Sequence, residues 1–428
     1  MKTVLAAIQW MAFMIAGTIV APIAVADLFH LSPADTEDFV QRTIFVLGAS
    51  TFFQAIFGHR LPINEGPAGL WWGVFAIYAS LGATMFQSTT ETLQALQGAM
   101  IISGGVFFIL SLFKLIEKLA MLFTPVVSGI YIILLILQLS KSFLNGMFGI
   151  GYRKDGLDVP IALFSVMLVL LTFYLSRHKT RLISQYSILI SLAAGWIAFS
   201  LFGFGIEKAT HSNALIRFPE LLSFGDPIFH PGLILTSAFI TLLLVTNMLA
   251  SIRVTEEVLK KQGETVDSNR YRAGGFIAGI NQLLGGMFSA IGSVPISGAA
   301  GFIATTGFSK TLPIVLSSLF IMAASLNPAL MSFCASLPAP VGYSVTFVIF
   351  SNMVRIAFSE FDREEEKHRT RLVIGVSLLS GTGAMFVSTS AFTEVSPILT
   401  SILNNGLILG TLIAIFADQW TKKFGKRL

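Results

Sequence analysis

The sequence predicts an all-α membrane protein with about fourteen transmembrane segments, arranged as two inverted repeats of seven. Three observations lead to this fold class. Of the 428 residues, 54% are hydrophobic and only 12% are charged, whereas a soluble domain carries roughly 25% charged residues. Apolar runs that approach the length of a spanning helix, about 20 residues, recur along the whole chain. Two pairs of similar proline-containing segments also lie about half a chain apart.

Charged or glycine- and proline-containing stretches divide the apolar runs into segments. Segments three and ten are short and rich in glycine and proline, which predicts half-helices that are each preceded by a short strand. The first repeat is predicted to cover residues 1–205 and the second 206–428. The predicted spans are 4–28, 41–58, 62–82, 92–113, 120–144, 157–176, 182–203, 229–250, 271–290, 294–308, 311–326, 339–358, 370–388 and 396–417.

The repeat is inferred from two pairs of segments that occur in the same order in both halves. Leu61-Pro-Ile-Asn-Glu-Gly-Pro-Ala-Gly69 resembles Val294-Pro-Ile-Ser-Gly-Ala-Ala-Gly301, and Phe123-Thr-Pro-Val-Val-Ser-Gly129 resembles Leu337-Pro-Ala-Pro-Val-Gly-Tyr-Ser344. An odd number of spans in each copy would invert the second copy. The alternative is chance recurrence of proline beside small residues in glycine-rich membrane helices.

The distribution of basic residues predicts the orientation. With a cytoplasmic N terminus, 22 of the 28 Lys and Arg fall on the inner side, which the positive-inside rule favours. Both termini are then cytoplasmic. The chain is predicted to be a multi-pass protein of the cell membrane, in contact with the lipid bilayer. The net charge of +5 is interpreted as this orientation signal, and no nucleic-acid partner is expected. The six basic residues on the outer side are Arg42, Lys141, Arg153, Lys154, Lys208 and Arg217.

Sequence patterns of enzymes are missing. Cys334 is the one cysteine, and the six histidines lie in loops or at the ends of spans, so neither a disulfide nor a zinc cluster is expected. No phosphate-binding loop or nucleophile elbow is found. The sequence therefore predicts that the protein is not an enzyme and uses no cofactor and no metal.

Segments three and ten are the predicted binding site. The N-terminus of a half-helix presents free N–H groups and a partial positive charge, and paired broken helices mark the binding site of inverted-repeat transporters. Two such ends could hold a small polar, planar or anionic solute. The alternative is that Gly66, Gly69, Gly298 and Gly301 only allow helices to pack closely.

Glu65 is the carboxylate placed most clearly within the hydrocarbon region. Intramembrane carboxylates are costly and are functional candidates by default; the alternative is a structural glutamate bound to neighbouring N–H groups or to Asn64. In span eight, Thr246 and Asn247 lie within one turn of Ala250. Asn247 is interpreted either as an interhelical contact or as a substrate ligand.

These segments resemble the nucleobase–cation symporter-2 family, the xanthine/uracil permeases. The run Ile8 to Pro22 is similar to the family's first span, with Trp10 in place of a histidine. Gly58-His-Arg-Leu-Pro-Ile-Asn-Glu-Gly66 is similar to its start of span three, and Leu337-Pro-Ala-Pro-Val341 to its start of span twelve. The resemblance implies a core domain of spans 1–4 and 8–11, which holds the substrate, and a gate domain of spans 5–7 and 12–14. It also implies a homodimer through the gate domain.

The family's ligand positions carry over only in part. The usual glutamate of span eight falls on Thr246, and the acidic or polar position of span ten falls near Ser297. Both usual carboxylates are therefore missing, and we expect Glu65 to combine the roles of substrate anchor and proton carrier. The predicted substrate-binding residues are Glu65, Gly66, Pro67, Ala68, Gly17, Thr246, Asn247, Ile296, Ser297 and Gly298.

The resemblance implies a secondary active transporter that imports a nucleobase, purine or uracil/xanthine-like, by an elevator-type movement. The coupling ion is expected to be the proton, with sodium as the alternative. Two other functions stay open at this point. One is an anion transporter of the related seven-plus-seven fold, which Glu65 disfavours; the other is a sensor that no longer transports.

Overall fold

The computed structural model describes residues 2–116, 118, 121–180, 183–184, 186–204, 214–266, 270–387, 391, 399, 403 and 405–424. The first half contains one strand and eight helices in these residues. They are α1 (Lys2–Thr18), α2 (Val20–Leu28), α3 (Pro33–Ile56), β1 (Glu65–Pro67), α4 (Gly69–Met85), α5 (Thr89–Leu112), α6 (Pro125–Met147), α7 (Val159–Ser176) and α8 (Ser187–Leu201).

The second half again places a short strand just before a helix. Its elements are α9 (Pro231–Lys261), α10 (Tyr271–Met287), β2 (Ser293–Pro295), α11 (Gly298–Thr306), α12 (Thr311–Ser325), α13 (Pro328–Ala335), α14 (Ala339–Asp362), α15 (Lys367–Phe386) and α16 (Gly406–Phe424). The predicted short strands are confirmed as β1 before α4 and β2 before α11; α11 is short, with nine residues, whereas α4 covers 17 residues.

Seven helical stretches of the described residues are long and apolar enough to cross a membrane, and α12 with α13 forms an eighth that is bent by 91°. The stretch Thr3–Leu28 counts as one of the seven, although it is interrupted at Ile19 between α1 and α2. The half-helix α11 has only nine residues, which is too short to cross a bilayer.

Several predicted boundaries are wrong. Span eight was predicted to end at residue 250, but α9 continues to Lys261. Helix α13 lies in a stretch that was predicted as a loop, and it begins there because the Asn327 side chain accepts a hydrogen bond from the Leu330 N–H at 2.9 Å. The last span was predicted as 396–417, whereas α16 covers Gly406–Phe424; most of the earlier part of that prediction lies outside the described residues.

The helices pack in two sets. In the first, α10 lies along α5, and α12 lies along α3 and α1; in the second, α14 lies along α6, and α15 lies along α16. Close approach in the first set depends on Gly279, where a Cβ atom would lie 2.8 Å from the ring of Phe108 and 3.0 Å from the Gly104 carbonyl oxygen. Helices α2 and α4 of the first set contact α14 and α6 of the second.

A buried ion-pair cluster fixes one end of the second set. The Asp418 side chain is fully buried and pairs with Arg369, which also lies 2.9 Å from the Glu364 carboxylate. Thr124, just before α6, donates a hydrogen bond to Asp418 at 3.1 Å. Because buried charges require partners, this cluster holds α6, α15 and α16 together at that end.

Candidate functional site at the paired half-helices

The centre of the site is a two-stranded antiparallel sheet. Glu65 pairs with Pro295, Gly66 with Val294 and Pro67 with Ser293. The Ile296 N–H donates to the Asn64 carbonyl at 3.0 Å, and the Ala68 N–H donates to the Gly292 carbonyl at 2.9 Å. The pairing brings together the N-termini of α4 and α11. At the start of α11 the Ala299 and Ala300 N–H groups donate to the Ile296 and Ser297 carbonyls at 3.1 Å.

Two glycines, Gly66 and Gly292, allow other side chains to approach the backbone of this sheet more closely than a residue with a Cβ atom would permit. A Cβ atom at Gly66 would lie 2.7 Å from Cγ1 and 2.9 Å from Cδ1 of Ile296. A Cβ at Gly292 would lie 2.5 Å from the Trp71 indole nitrogen and 2.6 Å from the Gln282 side-chain oxygen. The Trp71 indole donates to that oxygen at 2.7 Å, and the Gln282 amide donates to the Ser293 carbonyl at 2.7 Å. Both half-helix regions are therefore fixed to α10.

Glu65 lies inside the protein at the start of β1. It is 1% exposed, and its N–H donates to the Thr51 hydroxyl of α3 at 2.9 Å. Since side chains alternate along a strand, the register puts Ser293 on the same face of the sheet as Glu65. Glu65 Oε1 and Ser293 Oγ make no hydrogen bond of normal geometry in the described part of the chain, and the Ser293 hydroxyl is the side-chain donor that acts on the Glu65 carboxylate. A buried acceptor without a normal hydrogen bond is rare and requires an explanation.

Thr51 connects Glu65 to α3, and its removal is expected to destabilise the site. The Thr51 hydroxyl donates to the Leu47 carbonyl at 2.8 Å while it accepts from Glu65. We expect Thr51→Val to lower the free energy of unfolding by about 1–3 kcal/mol, because the buried Glu65 N–H loses its acceptor. Thr172→Val is the matched control, since buried Thr172 only donates to the Leu168 carbonyl of its own helix. Equal thermal shifts for the two variants would contradict this expectation.

The other predicted site residues form a more open wall. Ser297, Gly298 and Gly17 are exposed, whereas Thr246 and Asn247 are half-buried and Ala68 is buried. A Cβ atom added at Gly17 would have no other atom within 4 Å, so the space beside this residue is open. Pro67 and Ile296 are half-buried at the edge of the sheet. Phe13 of α1 beside Gly298 and Ser251 of α9 bound to the Pro295 carbonyl bring these two helices next to the strand pair.

Helix α9 is joined to this wall through Ser251. Its hydroxyl donates to the Pro295 carbonyl at 2.8 Å and lies 3.3 Å from the side-chain oxygen of Asn247. The Thr246 hydroxyl donates to the Leu243 carbonyl of its own helix at 2.7 Å, so its lone pairs are available to accept. The sequence did not single out Ser251, and only the packing of α9 against β2 explains its role.

An aromatic cluster next to Gly298 was not predicted as a unit. The Trp10 ring centroid lies 4.3 Å from that of Phe302 and 5.8 Å from that of Phe13. The Phe13 ring lies 3.6 Å from a Cβ position at Gly298. The Trp10 indole nitrogen is buried without a partner in the described residues. Such a cluster can contact the flat face of a planar ligand.

The second set of helices covers the start of α4. A Cβ position at Gly69 lies 3.6 Å from Leu135 of α6 and 3.8 Å from Phe350 of α14. The Trp72 ring makes edge contacts with Phe143 at 5.6 Å and Phe350 at 6.0 Å. Apolar side chains of α6 and α14 therefore cover the start of α4.

His59 contributes no titration at neutral pH. It lies between α3 and β1, outside the spanning helices, where it is 2% exposed. Burial, and secondarily the charge of Arg270, lowers the pKa of His59 to about 3. Its Nδ1 accepts a hydrogen bond from the Leu61 N–H at 3.0 Å. His59 is therefore neutral.

Broken helices that meet inside a bundle of apolar helices define a membrane transporter rather than an enzyme. Solved structures share the fold. The transmembrane domain of the cyanobacterial bicarbonate transporter BicA aligns with a TM-score of 0.60 at 15% identity, over 97% of this chain and 96% of that one. Murine Slc26a9, an anion transporter, aligns with a TM-score of 0.63 at 12% identity, over 100% and 69%. The predicted fold class, a helical membrane protein with two inverted repeats of seven spans, is confirmed.

The family follows from the sequence. The model of the xanthine/uracil permeases, described as a permease family, matches residues 1–390. This chain belongs to that family, as the resemblance predicted. YwdJ of Bacillus subtilis (strain 168), which carries the provisional name purine permease, is 47% identical over 98% of this chain and 96% of its own. The xanthine permease of the same strain is 26% identical over 99% and 95%. The uric acid transporter UacT of Escherichia coli (strain K12) is 23% identical over 97% and 85%.

Proposed function

We propose that this protein is a secondary active transporter that imports a purine nucleobase, of the xanthine type, together with protons. The observation that carries the proposal is the paired strand and half-helix arrangement around Glu65, a buried carboxylate with an oxygen that makes no hydrogen bond of normal geometry in the described residues. The names of YwdJ, the xanthine permease and UacT support a purine as the substrate class.

The chemistry of the site suits a neutral planar base. A purine carries N–H donors and carbonyl or ring-nitrogen acceptors in one plane. The N–H groups at the start of α4 that have no partner within the helix can donate to the acceptors, and Glu65 Oε1 can accept from an N–H. Phe13 beside Gly298 offers a ring edge or face to the base. An anion would meet the same N–H groups but would be repelled by an ionised Glu65.

Glu65 is the proposed proton carrier. A carboxylate that is removed from water favours its protonated form unless a donor stabilises the charge. In the proposed cycle Glu65 is protonated in one access state and is ionised in the other. The set α1–α5 with α9–α12 moves as the core against the gate formed by α6–α8 and α14–α16, and the substrate moves with the core. With both termini cytoplasmic, uptake then runs inward with an inward proton gradient.

The substrate is identified by uptake into proteoliposomes. We expect saturable uptake of a purine, xanthine among them, that is stimulated when the external solution is more acidic than the lumen. The panel contains xanthine, hypoxanthine, guanine, adenine, urate, uracil, sulfate and bicarbonate. A sodium gradient at constant pH forms a second arm. Saturable uptake of sulfate or bicarbonate instead of any base would contradict the proposal, as would a purine uptake that follows sodium and ignores pH.

A further inference from the structure

A second cavity lies away from the paired half-helices, at the end of the bundle opposite to the N terminus. Its volume is about 180 Å³, and it lies between the α2–α3 connection and the start of α14. It is open on one side, and the positive-inside prediction places it on the outer face. We call it the outer pocket. Its lining includes Asp27, Glu37, Tyr152, Ser332, Leu337 and Pro338.

The charge of the outer pocket is negative. Among the described residues that line it, Asp27 and Glu37 are carboxylates and none is Lys, Arg or His; His30, outside the lining, is close enough to act on the charge of Asp27. Glu37 lies 3.5 Å from Arg217, so its charge is compensated. Asp27 is exposed, and its carboxylate accepts a single hydrogen bond from the described residues, at Oδ2. Its other oxygen, Oδ1, is therefore available to a ligand in the pocket.

The shape and chemistry of the outer pocket fit a neutral planar molecule with N–H donors. Leu337 and Pro338 supply apolar surface, and the half-buried Tyr152 supplies an aromatic ring whose hydroxyl is engaged with the Phe204 carbonyl at 3.1 Å. An anion would be repelled by Asp27. The pocket is also much larger than a bare cation requires, and its apolar wall offers such an ion no ligands.

Asp27 also connects the two sets of helices. The Tyr343 hydroxyl of α14 lies 3.1 Å from Asp27 Oδ2 and 3.2 Å from the Ala24 carbonyl, so its proton is shared between two acceptors on α2. Tyr343 is 1% exposed and its ring packs against Gly146 of α6. The tyrosine is thus fixed to the gate, and its hydrogen bond joins the gate to the core beside the pocket.

We propose that the outer pocket is a first binding site for the transported base, in which Asp27 Oδ1 accepts a substrate N–H. This inference rests on the proposed function. A ligand N–H that binds Asp27 competes with the Tyr343 hydroxyl for the carboxylate. Tyr343 can then donate its hydrogen bond to the Ala24 carbonyl alone. Binding at the pocket therefore weakens a contact between α2 and α14 that must break when core and gate slide past each other.

The test compares Asp27→Asn with Asp155→Asn by initial-rate uptake of radiolabelled xanthine into proteoliposomes. Asp155 is exposed in the segment after Tyr152 and does not line the pocket. We expect Asp27→Asn to raise the KM for external xanthine about tenfold, the effect of losing a charged hydrogen-bond acceptor, while Asp155→Asn leaves it unchanged. Ser332→Phe, which fills the pocket from α13, is expected to raise the KM in the same way.

The outcomes separate the two proposals. If the wild-type protein transports no base at all, the proposed function fails and this inference falls with it. If the wild type transports xanthine and both pocket variants keep its KM, the inference alone is overturned. It is likewise overturned if Asp155→Asn raises the KM as much as Asp27→Asn, or if Asp27→Asn changes only the proton concentration that gives half-maximal uptake. Should Asp27→Asn fail to fold, Ser332→Phe decides by the same criterion.

Discussion

Glu65→Gln is expected to abolish proton-driven accumulation of the substrate. Glutamine has nearly the same shape but cannot take up or release a proton, so the two access states would no longer differ in charge at this position. Initial uptake at an imposed inward proton gradient should fall about tenfold or more, which corresponds to a loss of roughly 1.4 kcal/mol or more. The remaining uptake should be independent of external pH, and it should not exceed equilibration.

Glu365→Gln is the matched control for this variant. Glu365 is exposed in the short turn between α14 and α15 and makes no side-chain ion pair or hydrogen bond in the described part of the chain. It should retain wild-type uptake and pH dependence. A Glu65→Gln protein with the normal substrate affinity and the normal pH dependence would show that Glu65 is neither anchor nor proton carrier.

The second large effect is expected at Gly292, which precedes β2. An added methyl group would overlap the rigid Trp71 indole and the Gln282 oxygen that the indole binds. Either the Trp71–Gln282 hydrogen bond breaks or β2 moves away from α4. Overpacking of this kind costs about 1–3 kcal/mol, and the buried indole N–H would add a comparable cost if it lost its acceptor. Gly292→Ala should therefore lower both thermal stability and transport.

Gly105→Ala provides the comparison for Gly292→Ala. Gly105 lies within α5 and has open space around its Cβ position, so alanine there should leave stability unchanged or raise it through helix propensity. Thermal unfolding of both purified variants, monitored in the same detergent, measures the difference. A Gly292→Ala protein as stable and as active as Gly105→Ala would refute the packing argument for the strand pair.

The sequence predicted the breaks in the two half-helices because proline and glycine leave a local signal. Pro62 and Pro295 mark the two extended segments, and the scarcity of intramembrane carboxylates pointed to Glu65 without any structure. The resemblance to the xanthine/uracil permeases, carried by the same segments, is confirmed by the family match. These features could be predicted because they depend on residues that are close together in the sequence.

Contacts between distant parts of the chain could not be predicted in the same way. The register that sets Gly66 opposite Val294 depends on how two repeats fold together. The bond from Glu65 to Thr51 depends on the rotation of α3 about its axis, which a buried helix with apolar residues on several sides does not specify. The bond between Tyr343 and Asp27 joins two helices far apart in sequence, and the proline-containing segment around Tyr343 does not indicate Asp27 as its partner.

The ends of the helices also could not be predicted from the sequence alone. The apolar run of span eight predicts only its membrane-embedded part, whereas α9 continues through polar residues to Lys261. The continuation is held by its surroundings, since the Gln262 side chain donates to the Ile303 carbonyl of α11 at 3.1 Å. Beside it, hydrogen bonds from Ser309 and then Lys310 hold the pKa of Glu264 below its ordinary value. These tertiary contacts fix the end of the second half-helix.

Substrate-driven proton movement tests the central claim most directly. Wild-type and Glu65→Gln proteins are reconstituted into liposomes that contain a pH-sensitive dye, and xanthine is added outside with no initial pH gradient. We expect xanthine to acidify the lumen of wild-type vesicles as protons enter with it, and to cause no acidification in Glu65→Gln vesicles. Xanthine uptake by the wild type without any change in luminal pH would contradict proton coupling at this site.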